Sequence, residues 1–394
     1  MKRLQRLSSK REKLVIGLMS GTSADGIDAA LVRITGSGLE TKLEPMIHRS
    51  YPYPPGLRRA ILEASLPPAG TVDTICRLNF LLGELFARAA LDLAGEAGIA
   101  MTEVDLIGSH GQTVHHLPRP EDFFGYPVRA TLQIAEPAVI AKRTGVVTVA
   151  DFRPADIAVG GSGAPLIPYF DYLIFHSEEK SRVVLNLGGI ANLTVLKKAG
   201  RLEEVIAFDT GPGNMIIDGV ADRLFGHSYD RDGSIASQGK ISRPLLEKVL
   251  SHPYFAMGPP KSTGREEFGG VFLQNFVEQS RKLGLDNEDV VATATAIVAE
   301  TVWGSCQKFV VPTCPLEEVI VSGGGANNTA LMKFLNERFN EIPVTTSSEY
   351  GIPADAKEAI CFAVLANETI SGNPSNCPGA TGAEKPTILG KICL

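Results

Sequence analysis

The chain has only six cysteines in 394 residues, at 76, 306, 314, 361, 377 and 393, and no two of them form a C-x-x-C pair. This spacing excludes a cysteine-based zinc site and the dense disulfide framework of a small secreted fold, so reduced structural thiols in a cytoplasmic protein are expected. There is no excess of basic residues: 38 Lys and Arg stand against 44 Asp and Glu, for a net charge of −6. A chain without a basic face is not expected to take nucleic acid or an anionic membrane surface as a partner. Long apolar runs are also missing, and none approaches membrane-spanning length. The basic opening "MKRLQRLSSKREK" has no apolar segment behind its charges, so it does not read as a signal peptide. What remains is a globular composition, 44% hydrophobic and 21% charged, on a chain too long for one ordinary core, which points to two domains.

Forty glycines are present, and they gather in turns between apolar runs. "GLMSGTSADGID", Gly17 to Asp28, lies between two strand-like segments, Leu14–Met19 and Ile27–Ile34. "RVVLNLGGIANLTVLK", Arg182 to Lys197, repeats that strand–turn–strand device around Gly188 and Gly189. "EVIAFDTGPGN" then reads as a strand ending near Asp209, a Gly-Pro-Gly turn and a helix from Asn214. "EEVIVSGGGANNTALM" is a strand, the triple glycine Gly323, Gly324 and Gly325, and a helix. Residues 72–99 carry a helical apolar period, "VDLIGSHG" is a strand running into a polar turn, and "RTGVVTVAD" is a strand delivering Asp151. Glycine and proline concentrate in "VGGSGAPLIPYF", which suggests a division into 14–165 and 166–394.

Glycine turns bring several backbone N–H groups close to phosphate oxygens. At the first turn Ser20, Thr22 and Ser23 add hydroxyl donors, while Asp25 and Asp28 suit Mg²⁺ held through its water shell. The plain alternative is a tight hairpin with a polar tip. The first turn is not a P-loop, which needs a lysine and a following helix, and "GGSGAP" at Gly160–Pro165 has neither the spacing nor the flanks of a dinucleotide fingerprint. Two glycine hairpins and a later strand–GGG–helix unit instead resemble the actin-like ATPase and sugar-kinase superfamily. That likeness implies an α/β, two-lobed, duplicated ribonuclease H-like fold with a nucleotide cleft between the lobes.

Nine blocks together are similar to one family. They are "GLMSGTSADGID", "GSHGQTVHH", "ADFRPADIAVGGSGAPLIP", "NLGGIANLT", "FDTGPGN", "YDRDGSIA", "PKSTGREEF", "VSGGGANNTALM" and "EYGIPADAKEAICFAVLA". In this order, from about Leu14 to the C-terminus, they resemble anhydro-N-acetylmuramic acid kinase. The resemblance implies an ATP- and Mg²⁺-dependent homodimer of peptidoglycan recycling. Such an enzyme opens 1,6-anhydro-N-acetylmuramic acid and gives N-acetylmuramic acid 6-phosphate and ADP. It also implies that Gly21, Thr22, Ser23, Ala24, Asp25, Gly26, Ile27 and Asp28 form the ATP phosphate site, with Gly188, Gly189 and Gly323–Gly325 on the nucleotide and Asp209 as catalytic base. A kinase for an ordinary hexose and an ATP-driven chaperone or filament protein use the same fold.

Such chemistry needs one carboxylate. O6 leaves C1 but stays on the product, so its capture by the γ-phosphoryl group replaces the acid of an ordinary glycosidase. A base for the attacking water is then sufficient. Asp209 reads as that base or as a helix cap. His110 suits either a sugar hydroxyl or a turn hydrogen bond. Arg153 suits the lactyl carboxylate of the substrate or a loop-fixing pair with Asp151. His115 and His116 lack metal-ligand spacing, and no direct metal ligand is assigned. "YDRDGSIA" lacks the later acidic positions of a calcium loop. "PKSTGREEF" fits a nucleotide contact or a charged surface turn, and Trp303 reads as core.

Overall fold

A computed structural model describes residues 2–21, 23–66 and 69–394. The chain divides into two compact units, one running up to Leu173 and resuming at Ala356–Leu394, the other spanning Ile174–Asp355.

The first unit is built on Glu12–Ser20 (β1), Gly26–Thr35 (β2), Lys42–Pro52 (β3), Leu106–Phe123 (β4), Tyr126–Ile134 (β5) and Val147–Ala150 (β6). The order across the sheet is β3-β2-β1-β4-β6, closed by the short C-terminal strand Lys391–Cys393, with β5 paired to β4. β1 runs antiparallel to β2 and parallel to β4. β1 is buried without alternation from Val15 to Ser20, as a strand covered on both faces must be. One face meets helix Val72–Glu96 through Ile16, Leu18, Ile107, Leu82 and Phe86.

The second unit holds Arg182–Leu187 (β7), Ile190–Leu196 (β8), Ile206–Pro212 (β9), Glu318–Ser322 (β10) and Val344–Thr346 (β11). Their order is β9-β8-β7-β10-β11. β7 is antiparallel to β8 and parallel to β10, and β8 is antiparallel to β9. In both units, then, three antiparallel strands form a meander and the next strands add in parallel beside the first. This repeat is the duplicated ribonuclease H-like α/β architecture expected from the glycine hairpins. The second core joins Leu185, Leu193, Ile217, Ile297 and Leu331, with Trp303 packed against it.

The division between units differs from the one placed at 165/166. Helix Ile167–Phe175 carries the chain across the boundary, and helix Lys357–Ser371 returns to the first sheet. The returning helix is buried from Ala359 through Ile370, and each apolar side chain such as Phe362 or Leu365 contributes about 1.5–3 kcal/mol of burial. It lies flat against β1 and β4 because Gly17 and Gly108 present no side chain there. A Cβ at either would run into the backbone of Ala359 or Phe362. Among the described residues no helix is long and apolar enough to cross a membrane.

Candidate active site

In the first unit the β1–β2 turn is tied down from inside. Ser20 Oγ lies 2.7 Å from both Gly26 O and Gln112 Oε1, and Gln112 Nε2 donates to Gly21 O at 3.1 Å. Ala24 is buried with φ at +51°, and Ile27 points into the core. Gly21 has open space around it, and Ser23 and Asp25 are exposed. Asp28 accepts a hydrogen bond from Ser50, its cross-strand neighbour on β3. Thr22 lies outside the described residues. The turn thus offers backbone, one hydroxyl and one carboxylate on a fixed base.

"GSHGQT" is not the turn expected from its polarity, because β4 continues through it to Phe123. The strand takes an extra residue there: Leu18 pairs with Ser109, but Ser20 pairs with Gln112. This bulge, with Gly111 at φ +73°, re-aims His110, as bulges do beside functional sites. His110 packs against Phe362 with ring centres 4.7 Å apart, and its Nδ1–H donates to Gly111 O at 2.9 Å. Its Nε2 accepts from Arg153 Nε at 3.0 Å and Nη2 at 2.9 Å. Burial, reinforced by the Arg153 charge, holds the imidazole well below its usual pKa and therefore neutral. Both ring nitrogens are engaged within the protein.

Arg153 also donates from Nη1 to Gly163 O at 2.8 Å. The Asp151–Arg153 pair does not form. Asp151, held at φ +53°, gives its carboxylate to Lys391 Nζ at 2.9 Å instead. Ser109, His110, Gln133, Asp151 and Lys391 line a pocket of about 210 Å³, so two of the three candidate sugar residues share one cavity. Among the described residues no group of three or more His, Cys, Asp or Glu stands ready for a metal.

In the second unit three glycine turns meet at Asn214. Gly188 O accepts from Asn214 N at 2.8 Å, and Gly189 O accepts from Gly213 N at 2.9 Å and Met215 N at 3.2 Å. Asn214 Nδ2 donates to Leu187 O at 3.0 Å. A Cβ on Gly323, which sits at φ +83°, would stand 2.8 Å from Leu187 O, and one on Gly325 would stand 2.6 Å from Leu187 Cβ. The triple glycine leads from β10 into a helical turn, as expected. That 3₁₀ turn, Gly324–Asn327, precedes helix Thr329–Phe339, which the side chain of Asn328 caps by accepting from Leu331 N. Gly324 is the exposed member of the group. "YDRDGSIA" is wired internally, with Asp230 accepting from Ile235 N at 2.8 Å and Ala236 N at 3.0 Å.

Asp209 lies on β9, the edge strand, next to a second bulge at Thr210. Helix Asn214–Phe225 begins after Gly213 with no side-chain cap, so Asp209 caps nothing. Instead a strap, residues 261–263, pairs with the open edge. Asp209 N donates to Lys261 O at 3.1 Å, and Thr263 N donates to Asp209 Oδ2 at 2.9 Å. Tyr254 Oη donates to Asp209 O at 2.8 Å. Burial pushes the carboxyl up to about 7; the Thr263 N–H and the Lys261 charge pull against this, and Glu266 adds to it. A carboxyl titrating near neutrality can take a proton from water at physiological pH.

The anhydro-N-acetylmuramic acid kinase family matches residues 13–394. The chain belongs to that family. A member from Caldanaerobacter subterraneus subsp. tengcongensis is 50% identical over 396 residues, covering 100% of both chains. One from Salinibacter ruber is 46% identical over 388 residues, covering 98% of each. One from Clostridioides difficile is 43% identical over 377 residues, covering 96% of this chain and 97% of that one.

In this member of the anhydro-N-acetylmuramic acid kinase family, sequence reasoning missed the strap around Asp209. Lys261, in a segment that also reads as a surface turn, is buried at 7% exposure. The aromatic run "HPYFAM" just before it was the available signal, since it supplies the Tyr254 that packs there.

Proposed function

We propose that the chain opens 1,6-anhydro-N-acetylmuramic acid with water and phosphorylates O6 from ATP, in cell-wall recycling. The observation that carries the mechanism is the setting of Asp209, a half-buried carboxyl with a pKa near 7 on a strand edge, gripped on one oxygen by Thr263 N–H. Asp209 takes a proton from water as the water oxygen bonds to C1. The C1–O6 bond breaks, O6 takes the γ-phosphoryl group, and the bridging Pγ–O electrons leave with ADP. Asp209 then returns its proton to solvent.

Arg153, aimed by neutral His110, binds the lactyl carboxylate with its remaining N–H groups, because guanidinium and carboxylate pair through parallel hydrogen bonds. Asp151 shares a pocket wall with His110 and serves the sugar hydroxyls. The backbone and hydroxyls of Gly21–Asp28 receive phosphate, and Gly188, Gly189 and Gly323–Gly325 border the nucleotide. Exposed Asp25 suits Mg²⁺ held through water, whereas Asp28 is already bonded to Ser50. Magnesium that comes with ATP and few protein ligands fits this donor set, and when bound it offsets phosphate charge. The chain acts as a cytoplasmic homodimer on a small sugar, without nucleic acid or a membrane.

Turnover in ¹⁸O-water tests this reading. The label should appear at C1 with the anhydro sugar, and Asp209→Asn should abolish ADP release. Turnover of free glucose or N-acetylmuramic acid in place of the anhydro sugar would overturn it.

A further inference from the structure

Lys261 is the most deeply buried residue of the strap. Its Nζ is buried without a hydrogen-bond partner. It sits instead over three rings, 4.6 Å from the centroid of Tyr254, 5.1 Å from Phe309 and 5.9 Å from Phe208. An ammonium left without acceptors is costly to bury, and aromatic faces compensate only in part. A methionine or leucine would fill the same cage at lower cost, so the packing alone does not account for a cation here.

The surroundings give the cation a task. The same three residues, 261 to 263, hold Asp209 at two points, main chain to main chain and Thr263 N–H to carboxylate. Tyr254, one wall of the cage, donates its hydroxyl to the Asp209 carbonyl. Phe208, another wall, is the neighbour of Asp209 on β9. The cage and the base are therefore one rigid assembly.

We propose that Lys261 is the positioning residue of the base: its caged ammonium pins the strap to β9 and keeps a positive charge beside the Asp209 carboxylate. This inference rests on Asp209 acting as the base. Burial pulls the ammonium down to about 8, with Lys308 adding to the effect and Asp209 opposing it, so the cation persists at neutral pH. Around Asp209 the other charged or titrating groups are Glu266, which disfavours its ionisation, and Tyr254. Asn192, opposite on β8, is neutral. Lys261 is the cation that counters Glu266.

The test compares Lys261→Met, which fills the cage without charge, with Lys261→Arg, which keeps the cation. Two readouts are taken: the pH profile of kcat on 1,6-anhydro-N-acetylmuramic acid, and the ¹³C titration of the Asp209 carboxyl, assigned by its loss in Asp209→Asn. Lys261→Met should move the Asp209 titration up by about one unit and lower kcat at pH 7 about fivefold through the smaller ionised fraction. KM for ATP should stay unchanged, and Lys261→Arg should restore the wild-type limb. A Lys261→Met titration superimposed on wild type, even with a lowered Tm, would overturn the proposal and leave Lys261 as packing. Failure of the underlying reading looks different. Asp209→Asn would then keep turnover, while the carboxyl titration would still report whether Lys261 acts on Asp209.

Discussion

The β1–β2 turn of the first unit leaves Gly21 with open space around it, whereas the β7–β8 turn of the second gives its carbonyls at Gly188 and Gly189 to Gly213, Asn214 and Met215. The strands beneath are the same, antiparallel and followed by an antiparallel third. The acid, however, has changed strands. In the first unit Asp28 on the middle strand faces Ser50 on the outer one; in the second, Asn192 on the middle strand faces Asp209 on the outer one. The outer strand of the second unit has its edge gripped by a strap, and there the carboxyl is pushed to about 7. One topology thus supplies an open turn in one copy and a seated base in the other. The difference lies in what covers the edge strand and what donates to the turn.

The largest effect expected is at the base. Asp209→Asn should lower kcat by about 10²–10⁴-fold, the usual range for losing general-base help, measured as ADP release. The same variant has a signature in stability. A folded-state pKa raised to about 7 favours the protonated form, so the wild type loses stability as pH rises from about 4 through 7. Relative to wild type, Asp209→Asn should gain about 1–3 kcal/mol at pH 8, and that relative gain should vanish near pH 3, as read by urea unfolding. A gain at both pH values would mean that the charge is not what strains the site.

The contrast between the turns can be broken at single glycines. Gly213→Ala places a methyl against Gly188 O, and Gly323→Ala must also adopt φ +83°. Each should cost about 2–4 kcal/mol and weaken nucleotide binding. Gly21→Ala, in open space, should stay within about 0.5 kcal/mol. Equal losses at Gly21 and Gly323 would erase the distinction drawn here. Next in size, Arg153→Met removes a charge-assisted contact of about 1.5–3 kcal/mol. KM for the anhydro sugar should rise about 10–100-fold with KM for ATP unchanged. Lys391→Met, which frees a half-exposed Asp151, should cost less than about 1 kcal/mol of stability.

The strands and both hairpins were legible because each is a continuous apolar run broken by glycine. The nine blocks were legible together as a family resemblance, which the family match over residues 13–394 bears out; Asp209 was legible as the end of a strand. "GSHGQT" was misread as a turn because a bulge keeps a polar, glycine-containing segment inside a sheet, and pairing with β1 and β5 decides that. The division between units was misplaced because helix Lys357–Ser371 is buried on nearly every side, and such a helix does not announce which core it enters. The partner of Asp151 was hidden by distance, since Lys391 is 240 residues away. Burial of Lys261 follows from aromatic residues on three separate segments, a convergence no short window contains.

The returning helix also sets an order of events during synthesis. Residues 174–355 are contiguous, so this middle part can close its core without any segment that follows it. The first unit, although made earlier, has the β1 and β4 face at Gly17 and Gly108 uncovered until Lys357–Ser371 appears. Its opening strands wait, exposed, for almost the whole length of translation. A released chain ending at Asp355 should therefore carry a protease-resistant middle and a protease-sensitive beginning.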